Sequence, residues 1–204
     1  MLKNIFIKLA NKYCDDSSLV NECWQEIEIN YTKKKRHYHT LSHLENLYAQ
    51  LENVKEKIED WDTILFTLFY HDVIYSALKK DNEEQSAALA EKRMIQLTVN
   101  VDKIEKCKKQ IIATKQHLQN TDSDTNYFTD ADLSILGAAW EQYVAYLKNV
   151  RKEYSIYPNM IYNPGRKKVL QHFLSMERIF KTVYFFEKFE FNAKLNVQKE
   201  IEQL

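Results

Sequence analysis

At 204 residues the chain can bury a substantial core as one large domain or two small ones, and a single domain over 1–204 is expected, because no linker, repeat or low-complexity tract marks a boundary. Two glycines and two prolines leave almost no helix breakers, which predicts an all-α chain of about eight to ten helices and argues against sheet-rich folds. Twenty-nine basic residues balance twenty-nine acidic ones, so no global field favours a nucleic-acid polymer or an anionic membrane as partner.

Residues 1–8 hold too short an apolar run for a secretory signal, and no run approaches the roughly 20 residues that span a bilayer. Cys14, Cys23 and Cys107 lack CxxC spacing, so neither a disulfide framework nor a thiolate zinc site is suggested, and a reducing cytoplasm fits them. Taken in order, Ile5, Leu9, Ala10 and Tyr13, then Val20, Cys23, Trp24 and Ile27, recur at three-to-four spacing across a polar break at 15–18, which predicts two short helices. A basic segment then runs into His37, His39 and His43, and Thr40 or Ser42 is the expected cap of a helix through Leu47, Leu51 and Val54. The next helix starts near Asp60 or Asp62 and continues through Leu68 into 67–75, placing His71 and Asp72 side by side inside an apolar helical run.

Residues 79–84 read as a loop entering another helix, and a further helix over about 102–117 keeps Ile104, Cys107, Ile111 and Ile112 on one face. Residues 119–126 read as the clearest loop, after which 127–137 again places carboxylates, Asp130 and Asp132, in apolar company. A helix through Tyr143, Tyr146 and Val150 follows, then a second expected loop at 157–165, which holds both prolines and a glycine. The remainder reads as two helices with Tyr/Phe-rich faces that serve either as core or as a homodimer seam.

Isolated charges in an apolar element cost several kcal/mol unless paired, protonated or bound to a cation, so His71 and Asp72 need a common partner. A divalent metal suits both, since imidazole nitrogen and carboxylate oxygen are ligands for Zn, Mn or Fe. His39 and His43 are four apart, so on a helix they would share a face. With His71, Asp72 and one of Asp130 or Asp132 they make a cluster drawn from three segments. The two aspartates lie about 200° apart around a helix, so only one should reach a given ion. The competing reading of His71 is a hydrogen-bonded core histidine.

The order His…His-Asp…Asp on a helical chain resembles the HD superfamily of metal-dependent phosphohydrolases. RHYHTLSHL at 36–44, FYHDVIY at 69–75, DNEEQSA at 81–87, DADLSILG at 130–137 and RKEY at 151–154 are similar to successive blocks of one bacterial subfamily, described as predicted metal-dependent HD phosphohydrolases. The resemblance spans about residues 30–200 and implies an HD-type helical bundle with a central metal site. His71 and Asp72 take the place of the defining pair. The Tyr38-His39-x-x-x-His43 run is similar to that of cyclic nucleotide phosphodiesterases, which implies His43 as a metal ligand and His39 as the proton donor. The Ala-Asp-apolar pattern favours Asp132 over Asp130 as the last ligand. Asp72 is then both ligand and part of the catalytic set, and the metal is Mn, Mg, Fe, Co, Ni or Zn.

Glu83 and Glu84 are candidates for orienting a ligand or water, against a solvated first helical turn. Arg36, Lys115, Arg151 and Arg166 are candidates for a phosphate clamp, and His117 for phosphate or a second metal, against a cation at a helix C-terminus. The expected activity is hydrolysis of a phosphoester or phosphoanhydride in a small phosphorylated metabolite or nucleotide. The rivals are a di-iron oxygenase of the HD type, for which His117 is the deciding residue, and a non-catalytic nucleotide-binding module.

Overall fold

The computed structural model describes residues 1–204 and is all-helical, with ten α-helices, two 3₁₀ turns and no strand. In order these are α1 (Leu2–Ala10), α2 (Ser17–Tyr31), α3 (Leu41–Glu52), α4 (Trp61–Tyr70), α5 (Asn82–Gln96), α6 (Val101–Ala113), α7 (Ser123–Leu133), α8 (Trp140–Glu153), α9 (Asn159–Ser175) and α10 (Val183–Gln203). The 3₁₀ turns are Lys55–Lys57 and Ser134–Gly137. The chain divides into two compact units, Met1–Thr129 and Asp130–Leu204, and the division falls inside the continuous helix α7. No helix is long and apolar enough to cross a membrane.

The first unit is organised on α4, whose residues from Thr63 to Tyr70 are all buried. A helix apolar on every side needs neighbours on every side, and α1, α3, α5 and α6 supply them. Phe6 of α1 packs edge-on against Phe69, with ring centroids 5.1 Å apart. Asp60 caps α4 by accepting from the Thr63 N–H (3.2 Å) and hydroxyl (2.7 Å), and Lys103 of α6 reaches the same carboxylate at 2.7 Å. Burial pushes the Asp60 carboxyl up, but the bonds from Lys103 and Thr63 outweigh it and hold the group below its ordinary value of 3.8. A depressed folded value stabilises the fold above the unfolded value and loses that contribution as pH falls through the folded one. Asp60→Ala should therefore cost about 1–2 kcal/mol near neutral pH, and the difference from wild type should shrink in urea titrations well below pH 3.8.

Two expected loops are helical. Residues 119–126 contain the start of α7, because Asp122 accepts from the Thr125 N–H (3.0 Å) and hydroxyl as an N-cap would. Within the same stretch Asp124 is fully buried and accepts from the Glu59 and Asp60 N–H groups (2.8 and 2.9 Å) and from Lys106 Nζ (2.7 Å). This knot joins the start of α7 to the start of α4. Residues 157–165 are mostly α9, with Pro164 inside it. The carbonyl that Pro164 leaves without an N–H belongs to Met160, which is 89 % exposed, so water can serve it. Conversely, α6 stops at Ala113, and His117 stands beyond it with φ 52° rather than at a helix end.

In the second unit the Arg166 guanidinium grips Glu200 with two bonds (2.7 and 3.0 Å), and the Tyr143 hydroxyl donates to the same carboxylate. Arg166 is thus the fixed partner of a buried acid on α10, where the sequence made it a phosphate candidate.

Candidate metal centre

The α4 helix ends at Tyr70, one residue before the His-Asp pair. His71 is its C-cap residue (φ −56°, ψ −40°), and Asp72 lies in the turn beyond, so the pair is not inside the helix as expected. Consecutive residues on a helix diverge by about 100°. Outside it both side chains turn to one place, with Asp72 Oδ2 3.2 Å from His71 Nε2. Similarly, His39 precedes the N-cap Thr40 of α3, whereas His43 is the third residue of that helix. Their rings are still neighbours, with centroids 5.8 Å apart.

His43 and His71 are buried, and their Nε2 atoms lie 3.1 Å apart. The Leu68 carbonyl accepts from His71 Nδ1 at 3.0 Å, so the neutral imidazole carries its proton there and presents the Nε2 lone pair to His43. Asp132, the expected last ligand, stands half-buried on the last turn of α7. Phe128, one turn earlier on α7, meets the His71 ring edge-on at 5.5 Å.

Asp72 Oδ2 is also 3.9 Å from His43 Nε2 and 3.8 Å from His39 Nε2. His39 and Asp72, with side chains 19 % and 18 % exposed, form the wetter side of a site whose floor is His43 and His71. The donor set fits a divalent ion: two nitrogens each about 2.1 Å from one ion stand about 3.0–3.4 Å apart, and the His43–His71 separation falls in that range.

Arg36, expected at a phosphate, has its guanidinium set against backbone carbonyls. Its Nη1 donates to the carbonyls of His39 (3.0 Å) and Asp72 (2.8 Å), its Nη2 to that of Val73 (2.8 Å), and its guanidinium lies 4.7 Å from the Tyr31 ring centroid and 5.6 Å from that of Tyr75. It ties the His39 segment to the Asp72 turn, a buried cation with carbonyl partners. Arg151 is spent likewise, donating to the Tyr154 and Tyr157 carbonyls and to Asn159 Oδ1 just past α8. Lys115 donates to the Lys80 carbonyl at 2.9 Å and pairs with Glu84, while Glu83 Oε2 is 4.0 Å from the same ammonium. That pairing lowers the Glu84 carboxyl and raises the Lys115 ammonium. Both glutamates thus belong to a charge cluster in the first turn of α5. Burial pushes the Cys23 thiol up to about 11 and the Cys107 thiol up to about 12, so neither is a ready nucleophile.

Asp130, the alternative to Asp132 as last ligand, has its carboxylate engaged elsewhere. Asp130 is fully buried and accepts from the Lys181 N–H (3.0 Å to each oxygen), the Thr182 N–H (2.7 Å) and the Thr182 hydroxyl (2.8 Å), so its oxygens face the start of α10. Burial raises the Asp130 carboxyl and lowers the Lys181 ammonium, each offset in part by the other. The Lys181 side chain is 4 % exposed, with Nζ 3.5 Å from Asp130 Oδ1, a charge pair rather than a hydrogen bond. Nothing in the sequence around 181 signals this lysine, because a single Lys in an irregular connection has no periodicity or motif to mark it. No family model, curated protein or solved structure matches the chain.

Proposed function

We propose that this chain is a metal-dependent phosphohydrolase of the HD type, built as one helical domain around the His43, His71, Asp72 and Asp132 site, and that it cleaves a phosphoester or phosphoanhydride in a small phosphorylated metabolite or nucleotide. The observation that carries the reading is the His43–His71 pair, with Nε2 atoms 3.1 Å apart and Asp72 Oδ2 3.2 Å from His71 and 3.9 Å from His43. This meets the His…His-Asp…Asp order with donor atoms that suit one divalent ion.

When bound, such an ion supplies Lewis acidity, lowering the pKa of water to about 7 and neutralising phosphoryl charge. The chain's own groups do the rest. The Leu68 carbonyl holds His71 in the tautomer that offers Nε2. Arg36 fixes the backbone on both sides of the site through His39, Asp72 and Val73, so a lost Arg36 misplaces two functional side chains at once. His39, packed on Tyr75 with ring centroids 4.1 Å apart and partly open to solvent, is placed to hand a proton from Nε2 to a leaving oxygen. Asp72 Oδ2 stands 3.8 Å from that nitrogen.

The test is hydrolysis of a broad panel of phosphoesters, nucleotides and pyrophosphates by the full chain loaded in turn with Mn, Mg, Fe, Co, Ni and Zn. Chelator-sensitive turnover of at least one class is expected. Absence of turnover with every metal overturns the enzymatic reading, and two irons per chain with an oxygen-dependent product replaces it with the oxygenase.

A further inference from the structure

His39 lies in the irregular segment before the N-cap Thr40 of α3, and the torsion that turns an imidazole about its Cβ–Cγ bond has broad, shallow wells. Neither regular structure nor rotamer preference therefore fixes where its Nε2 points. A proton donor is useful only within hydrogen-bond reach of the oxygen it serves, so the aim of this ring has to come from its packing. Tyr75 supplies it. The two rings stack with centroids 4.1 Å apart and planes 32° from parallel, whereas Tyr38 meets the same imidazole edge-on at 4.9 Å and 80°.

A stacked ring can aim its neighbour only if it is itself fixed, and Tyr75 also stands outside any helix. Helix α5 fixes it from both sides. The hydroxyl of Ser86, a fully buried residue, accepts from the Ile74 N–H (3.1 Å) and donates to the Ile74 carbonyl (3.2 Å). Asn82, one turn earlier, accepts from the Ser76 N–H through Oδ1 and donates to the Ser76 carbonyl through Nδ2, at 3.0 Å each. The backbone on either side of Tyr75 is thus held as strand partners would hold it, by side chains instead. The Arg36 guanidinium lies 5.6 Å from the Tyr75 ring centroid, and its Nη1 donates to the His39 carbonyl, so one cation ties both halves of the stack. All of these groups belong to the first unit. On the reading that His39 gives the leaving oxygen its proton, we propose that Tyr75, held by Asn82 and Ser86, is the positioning residue that aims the His39 imidazole. In that step the attacking oxygen bonds to phosphorus, the bond from phosphorus to the leaving oxygen breaks with its electron pair going to that oxygen, and the proton on His39 Nε2 passes to it.

Two measurements test this. In proton NMR of the chelator-treated full chain, at a pH where the imidazole is neutral, the His39 ring protons, assigned by their loss in His39→Gln, should lie upfield of a free imidazole because they face the Tyr75 ring. Tyr75→Phe should keep that shift. Tyr75→Leu and Asn82→Ala should lose it, the second without touching either ring. The other measurement reads leaving-group dependence in the metal-loaded chain. On an alkyl phosphoester, whose alkoxide needs a proton to depart, Tyr75→Leu should lower kcat about 100-fold, the cost of a misplaced catalytic group, with KM little changed. On the p-nitrophenyl ester, whose phenolate departs unaided, it should change little, and Tyr75→Phe should match wild type on both. Ring shifts that survive in Tyr75→Leu and Asn82→Ala, or equal losses on the two esters, overturn the proposal, and so does turnover confined to anhydrides, whose phosphate leaves without a proton. If Tyr75→Leu does not fold, Asn82→Ala decides both measurements. A chain that shows the ring shifts and hydrolyses nothing loses the hydrolase reading and keeps the positioning of His39 by Tyr75.

Discussion

Asp72→Ala should abolish tight metal binding while leaving the helical fold in place. In the proposed site this change deletes a carboxylate whose Oδ2 lies 3.2, 3.9 and 3.8 Å from His71, His43 and His39, and with it negative charge needed to hold a dication. The same geometry admits a second physical role, in which Asp72 is the counter-ion of a protonated imidazole. The two roles differ in what the mutant loses. A ligand loss leaves the apo chain nearly as stable as apo wild type, because a partly buried carboxylate has itself been removed. A counter-ion loss strands a buried cation and costs about 3–5 kcal/mol. Thermal melts with metal and with chelator separate them. Wild type at 100 times its Kd for metal should gain about 2.7 kcal/mol, near 5–11 °C for a chain of this size, and chelator should remove the gain. The mutant should melt with apo wild type and ignore both additions. A mutant that is stabilised by metal like wild type sinks the assignment of Asp72.

Gly137→Ala should be the most damaging small substitution in the second unit. Gly137 ends the 3₁₀ turn Ser134–Gly137, and a Cβ there would stand 2.5 Å from the Phe189 carbonyl oxygen, 2.6 Å from Phe189 Cβ and 2.9 Å from Phe189 Cα. Two of these are main-chain atoms of α10, and the third is fixed to it, so none can swing aside. The turn and helix are also stitched by Asn196 Nδ2, which donates to the Leu136 and Ala138 carbonyls at 2.9 Å each. Separating them to admit a methyl breaks those bonds as well. Overpacking of this kind costs about 3 kcal/mol or more, a fall in Tm of roughly 6–12 °C. Gly165→Ala is the control, since nothing lies within 4 Å of the added carbon inside α9. It should stabilise by about 0.5–1 kcal/mol. Equal melting of the two variants would remove the steric account.

The helical class was legible in composition, because a chain with two glycines and two prolines has few ways to turn except between helices. So were the break before α2, the Asp60 cap of α4, and the donor types at 43, 71, 72 and 132: these depend on neighbours along the chain or on what an imidazole and a carboxylate can bind. Other features were decided by partners distant in sequence. Residues 119–126 look like a loop until Asp124 is seen bonded to Glu59, Asp60 and Lys106, where a polar residue is buried because its hydrogen bonds are met. Arg36 looks like a phosphate ligand until its guanidinium is found on the carbonyls of Asp72 and Val73, more than thirty positions away. Asp130 and Asp132 share a helix turn and a charge. Only the donors of Lys181 and Thr182, some fifty residues on, show that Asp130 is bound to the start of α10. Local sequence determines which conformation a segment prefers and which atoms it offers, whereas the role of a charged side chain follows from the donors and acceptors that tertiary packing sets against it.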